Sequence, residues 1–167
     1  MNKKAWHLKW FALQNLEEWH EAIECYNTAL ELAPFYERSW SNKGTIFKNL
    51  KKLKDALFCY DKIIENDPLD IDGHVKKGGI FEELGQYQEA TQCYKKATEI
   101  IPRDRREWRL RGDAFEKLGL FHEAIDCYDK ALEIDHRDEW AWQRKANAFE
   151  RLEKWHEVVK CYDKVLE

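Results

Sequence analysis

The sequence predicts an all-α fold, an array of tandem helix–turn–helix pairs, and three observations point to it. Cys25, Cys59, Cys93, Cys127 and Cys161 recur every 34 residues, and each is followed by a tyrosine, the mark of an internal repeat. Large apolar residues within each period fall at helical spacing. The 167 residues hold only 7 Gly and 3 Pro, which favours long regular elements joined by short connections.

Slots are counted from Lys3. The repeats are then 3–36, 37–70, 71–104, 105–138 and a partial 139–167, within a single domain spanning 1–167. The first helix of each pair carries slot 4 (Trp6, Trp40, His74, Trp108, Trp142), slot 11 (Leu13, Phe47, Phe81, Phe115, Phe149) and an invariant leucine at slot 14. A short turn follows, marked by Gly85 and Gly119. The second helix carries slot 17 (Trp19, Leu53, Tyr87, Phe121, Trp155), a small residue at slot 20 (Ala22, Ala56, Ala90, Ala124, then Val158), the tyrosine at slot 24 and slot 27 (Ala29, Ile63, Ala97, Ala131, Val165). Pro34, Pro68 and Pro102 close three repeats at slot 32, where a helix must stop. Large and small slots alternate, so the helices approach closely while aromatic rings fill the gaps between them.

This pattern resembles the tetratricopeptide repeat family, whose 34-residue signature is W-x2-L-G-x2-Y, A-x3-F and P. The second repeat reads Trp40-x2-Lys43-Gly44-x2-Phe47, Ala56-x3-Tyr60, Pro68, and the fourth reads Trp108-x2-Arg111-Gly112-x2-Phe115, Ala124-x3-Tyr128. The resemblance covers nearly the whole chain. It implies a right-handed α-solenoid, the tetratricopeptide repeat superhelix. Two departures stand out. The leucine of slot 7 is replaced by a base in every repeat (Lys9, Lys43, Lys77, Arg111, Lys145), and Trp10 takes the small slot 8 of the first repeat. A basic side chain at slot 7 is expected to lay its stem on apolar surface with its head in water.

A composition that is 44% hydrophobic supports a real core, and a net charge of −4 argues against general nucleic-acid binding. No apolar run is long enough for a membrane span, and Met1-Asn2-Lys3-Lys4 leads into no signal-like core. The expectation is a cytoplasmic protein with no membrane or nucleic-acid partner.

Repeats permit an internal comparison. Slots filled alike in every copy serve stacking, and slots that vary are free to serve a ligand. The acidic slots 19 (Glu21, Asp55, Glu89, Glu123, Glu157) and 29 (Glu31, Glu65, Glu99, Glu133, Glu167) belong to the first kind and are read as solvated or paired charges. The resemblance implies that the first helices line a concave groove through slots 2, 5, 9, 12 and 13, in one continuous trough. Slots 2, 5 and 9 are also the most varied in the chain. The groove candidates are Lys4, His7 and Phe11, then Arg38, Ser41 and Thr45, then Asp72, Val75 and Lys76, then Arg106, Arg109 and Asp113, and finally Trp140, Gln143, Arg144 and Asn147. The arginines favour a partner with acidic residues, and Trp140 is the best apolar anchor. The chaperone-tail clamp of some family members needs Lys and Asn where this chain has His7 and Phe11, so no such partner is expected.

No catalytic constellation, phosphate loop or metal spacing is present in the sequence, so neither an enzyme nor a cofactor is expected. The cysteines read as small buried hydrophobes, with no disulfide and no metal. His20, His122 and His156 share slot 18 and are expected in the turn. The first functional reading is a protein-interaction scaffold that grips a partner protein or peptide segment in the groove. The alternative is a self-associating array, or a fragment of a longer one, whose terminal repeats lack polar caps and pack on another copy. RNA binding by helical pairs is a third reading, which needs a basic groove and a 35-residue period absent here.

Overall fold

The structure, a computed structural model, describes residues 19–166. The predicted first helix of the first repeat, with Lys4, His7, Trp10 and Phe11, lies outside the described residues. Among the described residues there are nine helices and no strand. They are α1 (Trp19–Leu32), α2 (Glu37–Asn49), α3 (Leu53–Asn66), α4 (Ile71–Glu83), α5 (Tyr87–Glu99), α6 (Arg105–Lys117), α7 (Phe121–Ile134), α8 (Glu139–Arg151) and α9 (Trp155–Leu166). The fold class is the expected one, an all-α solenoid of helix pairs. First helices occupy slots 1–13 and second helices begin at slot 17 in every described repeat. The histidines of slot 18 therefore sit in the first turn of the second helix rather than in the connection, and all three are exposed.

Each turn is built the same way. The slot-15 residue adopts a left-handed backbone: Lys51 (φ 59°), Gly85 (φ 73°), Gly119 (φ 75°) and Glu153 (φ 57°). Its N–H donates to the slot-12 carbonyl, and the next N–H donates to the slot-11 carbonyl, as in Lys52 to Phe47 and Gln86 to Phe81, both at 2.8 Å. These paired bonds satisfy carbonyls that a helix end leaves open. At the opposite end, Asp70, Asp104 and Asp138 share slot 34 and cap the following first helix. Asp104 accepts from the Glu107 N–H at 2.8 Å and Asp138 from the Ala141 N–H at 3.1 Å.

The chain divides into two compact units, Met1–Pro68 and Leu69–Glu167. In the first, α2 packs on both α1 and α3, and Ala22, Tyr26 and Ile46 form a buried cluster. In the second, α4 to α9 pack in succession and α4 also touches α6. Its core holds Ile71, Ala90, Tyr94, Ala97, Ile100 and Ala114, and a further cluster joins Ala131, Leu132 and Ala141 to the half-buried Trp108, Trp140 and Trp142. The glycine of slot 8 is required by its own repeat's tyrosine. A Cβ on Gly44 would stand 2.7 Å from the Tyr60 ring, and one on Gly78 2.6 Å from the Tyr94 ring.

The base of slot 7 differs from expectation, because its head does not simply rest in water. Lys43 sits 5.2 Å over Trp40 and 5.8 Å over Phe47, and Lys145 takes the same place between Trp142 and Phe149. Each also reaches the preceding helix: Lys43 donates to Asn27 at 2.7 Å, Lys145 to Asp129 at 2.5 Å, and Arg111 to the Thr98 carbonyl at 2.9 Å. Ring quadrupoles and an acceptor across the helix interface outcompete bulk water for this cation.

Candidate interaction face

The variable slots of the second unit meet where α4, α6 and α8, three successive first helices, lie side by side. Arg106 on α6 donates to Asp72 on α4 at 2.6 Å, and Lys76 pairs with the same carboxylate at 3.0 Å. Arg109 on α6 bonds Asp138 at 3.2 Å and lies 4.1 Å from the ring centroid of Trp140 on α8. Arg144 on α8 lies 5.0 Å from that centroid and pairs back to Asp113 (3.4 Å) and Glu116 (3.8 Å) on α6. Arg105 joins the Asp135–Asp138 side of the network.

Trp140, the anchor candidate, presents its ring to two guanidinium groups. Arg109 and Arg144 lie over its rings, and Tyr128 approaches edge-on at 6.0 Å. Val75 packs against the core. Gln143 and Asn147 on α8 are exposed. In the first unit Arg38 is exposed and Ser41 is buried. The Thr45 hydroxyl bonds the Ser41 carbonyl at 3.0 Å, so its hydrogen is committed within α2.

The ion pairs have a common orientation. The Asp72 side chain is 6% exposed and those of Asp113 and Glu116 are each 18% exposed, whereas Arg106 is 58% and Arg144 40% exposed. Anions lie at the bottom and cations at the rim. Burial pushes the Asp113 carboxyl up to about 6 against the opposing pull of Arg144 and the Tyr128 hydroxyl, which donates to it at 3.1 Å. Burial raises Glu116 as well. Two buried atoms of the network, Arg109 Nε and Glu116 Oε1, have no hydrogen-bond partner. An open cleft of about 590 Å³ continues the face between Glu116, Lys117 and Phe121 on one side and Arg144, Asn147 and Arg151 on the other.

Sequence reasoning passed over Glu116, Tyr128 and Asp138. Glu116 occupies slot 12, one of the groove slots the resemblance implies, so comparing that slot across repeats would have found it. The recurrence of aspartate at slot 34 was the signal for Asp138. Tyr128 was read only as a packing residue, and its hydroxyl gave no separate signal.

No disulfide joins any of the five cysteines, and all but Cys25 are buried. Burial pushes Cys59 up to about 12 and Cys127 to about 11. Among the described residues no group of His, Cys, Asp and Glu is arranged to hold a metal ion, and no helix is long and apolar enough to cross a membrane.

No curated protein sequence matches the chain. Solved structures do. A thermophilic tetratricopeptide repeat protein of Thermus thermophilus superposes with a TM-score of 0.72 at 17% identity, covering 99% of this chain and 90% of that one. MamA of Desulfovibrio magneticus gives 0.63 at 18% identity, covering 98% and 92%. YrrB, described as having an unusual peptide-binding site, gives 0.58 at 20%, covering 86% and 74%. Family models of the tetratricopeptide repeat match residues 4–36, 37–68, 71–104 and 106–138, segments that follow the repeat register of the cysteines. The chain belongs to the tetratricopeptide repeat family.

Proposed function

We propose that the protein is an interaction scaffold that holds an acidic segment of a partner protein against the α4–α6–α8 face. The observation that carries this reading is the graded exposure of the ion pairs. Arg106 and Arg144 stand at the rim over buried carboxylates, so an approaching peptide meets guanidinium groups first. A partner carboxylate gains two-pronged, charge-assisted hydrogen bonds from such groups. The exposed amides of Gln143 and Asn147 suit a peptide backbone, and the cleft beside Arg144 gives room for a side chain. Helical-repeat solenoids use surfaces of this kind for binding. Binding, not catalysis, is what an open face of this shape supports, and YrrB gives a precedent for peptide recognition within the family.

The test begins with peptides selected by display from a random library on the intact chain. The selected peptides should be rich in Asp and Glu. Their affinity, measured by fluorescence anisotropy, should fall about tenfold or more in an Arg106→Ala, Arg144→Ala variant of unchanged helicity, and should fall with added salt. Peptides without acidic enrichment, or affinity indifferent to both substitutions, would defeat the proposal.

A further inference from the structure

Resting on the reading of an acidic partner, we infer that the α4–α6–α8 face takes up a proton as it takes that partner, with the Asp113 and Glu116 carboxylates as the proton acceptors and Arg144 as the link. The coupling comes from how three helices share these charges. Asp113 and Glu116 lie one turn apart on α6, with side chains each 18% exposed. The Tyr128 hydroxyl on α7 has one hydrogen and donates it to Asp113. The Arg144 guanidinium on α8 stands 3.4 Å from Asp113 and 3.8 Å from Glu116. It is held to both by charge and to neither by a short hydrogen bond. Glu116 Oε1 is buried without a hydrogen-bond partner. The other charges around the pair have partners of their own. Arg109 on α6 bonds Asp138, and Lys117 pairs with Glu82 of α4 at 2.7 Å. Arg151 on α8 stacks on Phe121 at 5.3 Å. Asp72 and Lys76 of α4 gather at Arg106, and α5 meets α6 through the Thr98 carbonyl, which takes Arg111.

A partner carboxylate at Arg144 worsens the position of the pair in either binding mode. With the guanidinium turned outward to the partner, two half-buried anions lose the cation they share. With the guanidinium bridging inward and outward, a third anion stands beside the two. Each mode raises the affinity of the pair for a proton. Burial already pushes Asp113 up to about 6 and raises Glu116, so a small further rise brings a proton onto the pair near neutral pH. The sign follows from linkage. A proton bound along with the partner makes affinity increase as pH falls from about 8 to about 6. A rim of arginines without buried carboxylates beneath it behaves differently. Guanidinium groups and exposed peptide carboxylates keep their charges across that range, and affinity stays flat.

Two measurements on the intact chain test this, and the first needs no partner. Arg144→Ala withdraws the shared cation as a partner does. At unchanged helicity, carboxyl carbon NMR should show Asp113 binding its proton about threefold more tightly or better in this variant. The second is calorimetry with a hexa-aspartate peptide blocked at both ends, in two buffers of different ionisation enthalpy. Binding near pH 7 should take up about half a proton or more, and affinity should rise about threefold or more between pH 8 and pH 6. Asp113→Asn, Glu116→Gln should abolish both the uptake and the pH dependence. Asp113 titration unmoved by Arg144→Ala overturns the inference whether or not the peptide binds. A peptide that binds without proton uptake overturns it too and leaves the interaction scaffold standing. A peptide that fails to bind at either pH defeats the acidic-partner reading, and this inference with it.

Discussion

Asp113 holds its proton more tightly than an aspartate in water, and this has a measurable consequence. Its folded-state value of about 6 stands above the ordinary 3.8, because burial penalises the charged form more than Arg144 and Tyr128 reward it. The stability it contributes is therefore complete below pH 3.8 and is lost as pH rises through about 6. Glu116 beside it shifts in the same direction. Asp113→Asn keeps an acceptor for the Tyr128 hydroxyl and removes the buried charge. It should stabilise the protein by about 1–2 kcal/mol near pH 7.5 and give no gain near pH 4, as read from urea midpoints at the two values. At this scale the sequence was partly legible. Asp113 and Arg144 were identifiable as variable first-helix residues, because slots that vary between repeats can be compared within one chain. Their pairing was not, because it depends on how far apart neighbouring helices lie and on which side chains bridge that gap. The slot-7 bases show the same limit. Their recurrence was visible, but the aromatic rings on both sides and the acceptor on the preceding helix became apparent only once the helices were packed.

Helix ends supply the next level of argument. The four described turns share a left-handed residue at slot 15, yet only two use glycine there; Lys51 and Glu153 carry the same conformation with a side chain. That conformation costs an ordinary residue about 1 kcal/mol or more. Glu153→Gly should therefore raise stability by about 0.5–1 kcal/mol, seen as a higher urea midpoint. A drop in stability there would mean that the side chain makes a compensating contact. The helices themselves were plain in the periodicity, since every repeat restates the same apolar spacing and an error in one copy is corrected by the others. Caps were less plain. Gly85 and Gly119 announced two turns, but Lys51 and Glu153 hid the others, because glycine is favoured there without being obligatory. The recurring Asp70, Asp104 and Asp138 mark three helix starts, but they lie in a polar slot that a search for apolar periodicity passes over.

For the molecule as a whole, the repeat assigns different tasks to different slots. Small residues at slots 8 and 20 and the tyrosine at slot 24 set the helix packing, as the Gly78–Tyr94 contact and the buried Ala90 and Ala124 illustrate. The variable slots of the first helices gather charged and amide side chains on the α4–α6–α8 face. Fold class was legible because packing constraints recur every 34 residues. The partner was not, because recognition is written in the residues that do not recur. The most direct measurement is a backbone-amide NMR titration of the labelled chain with an acidic peptide selected on it. The account predicts shifts concentrated in α4, α6 and α8, strongest around Arg106, Asp113 and Arg144. Shifts confined to α5 and α7, with the α4–α6–α8 face unperturbed, would contradict it.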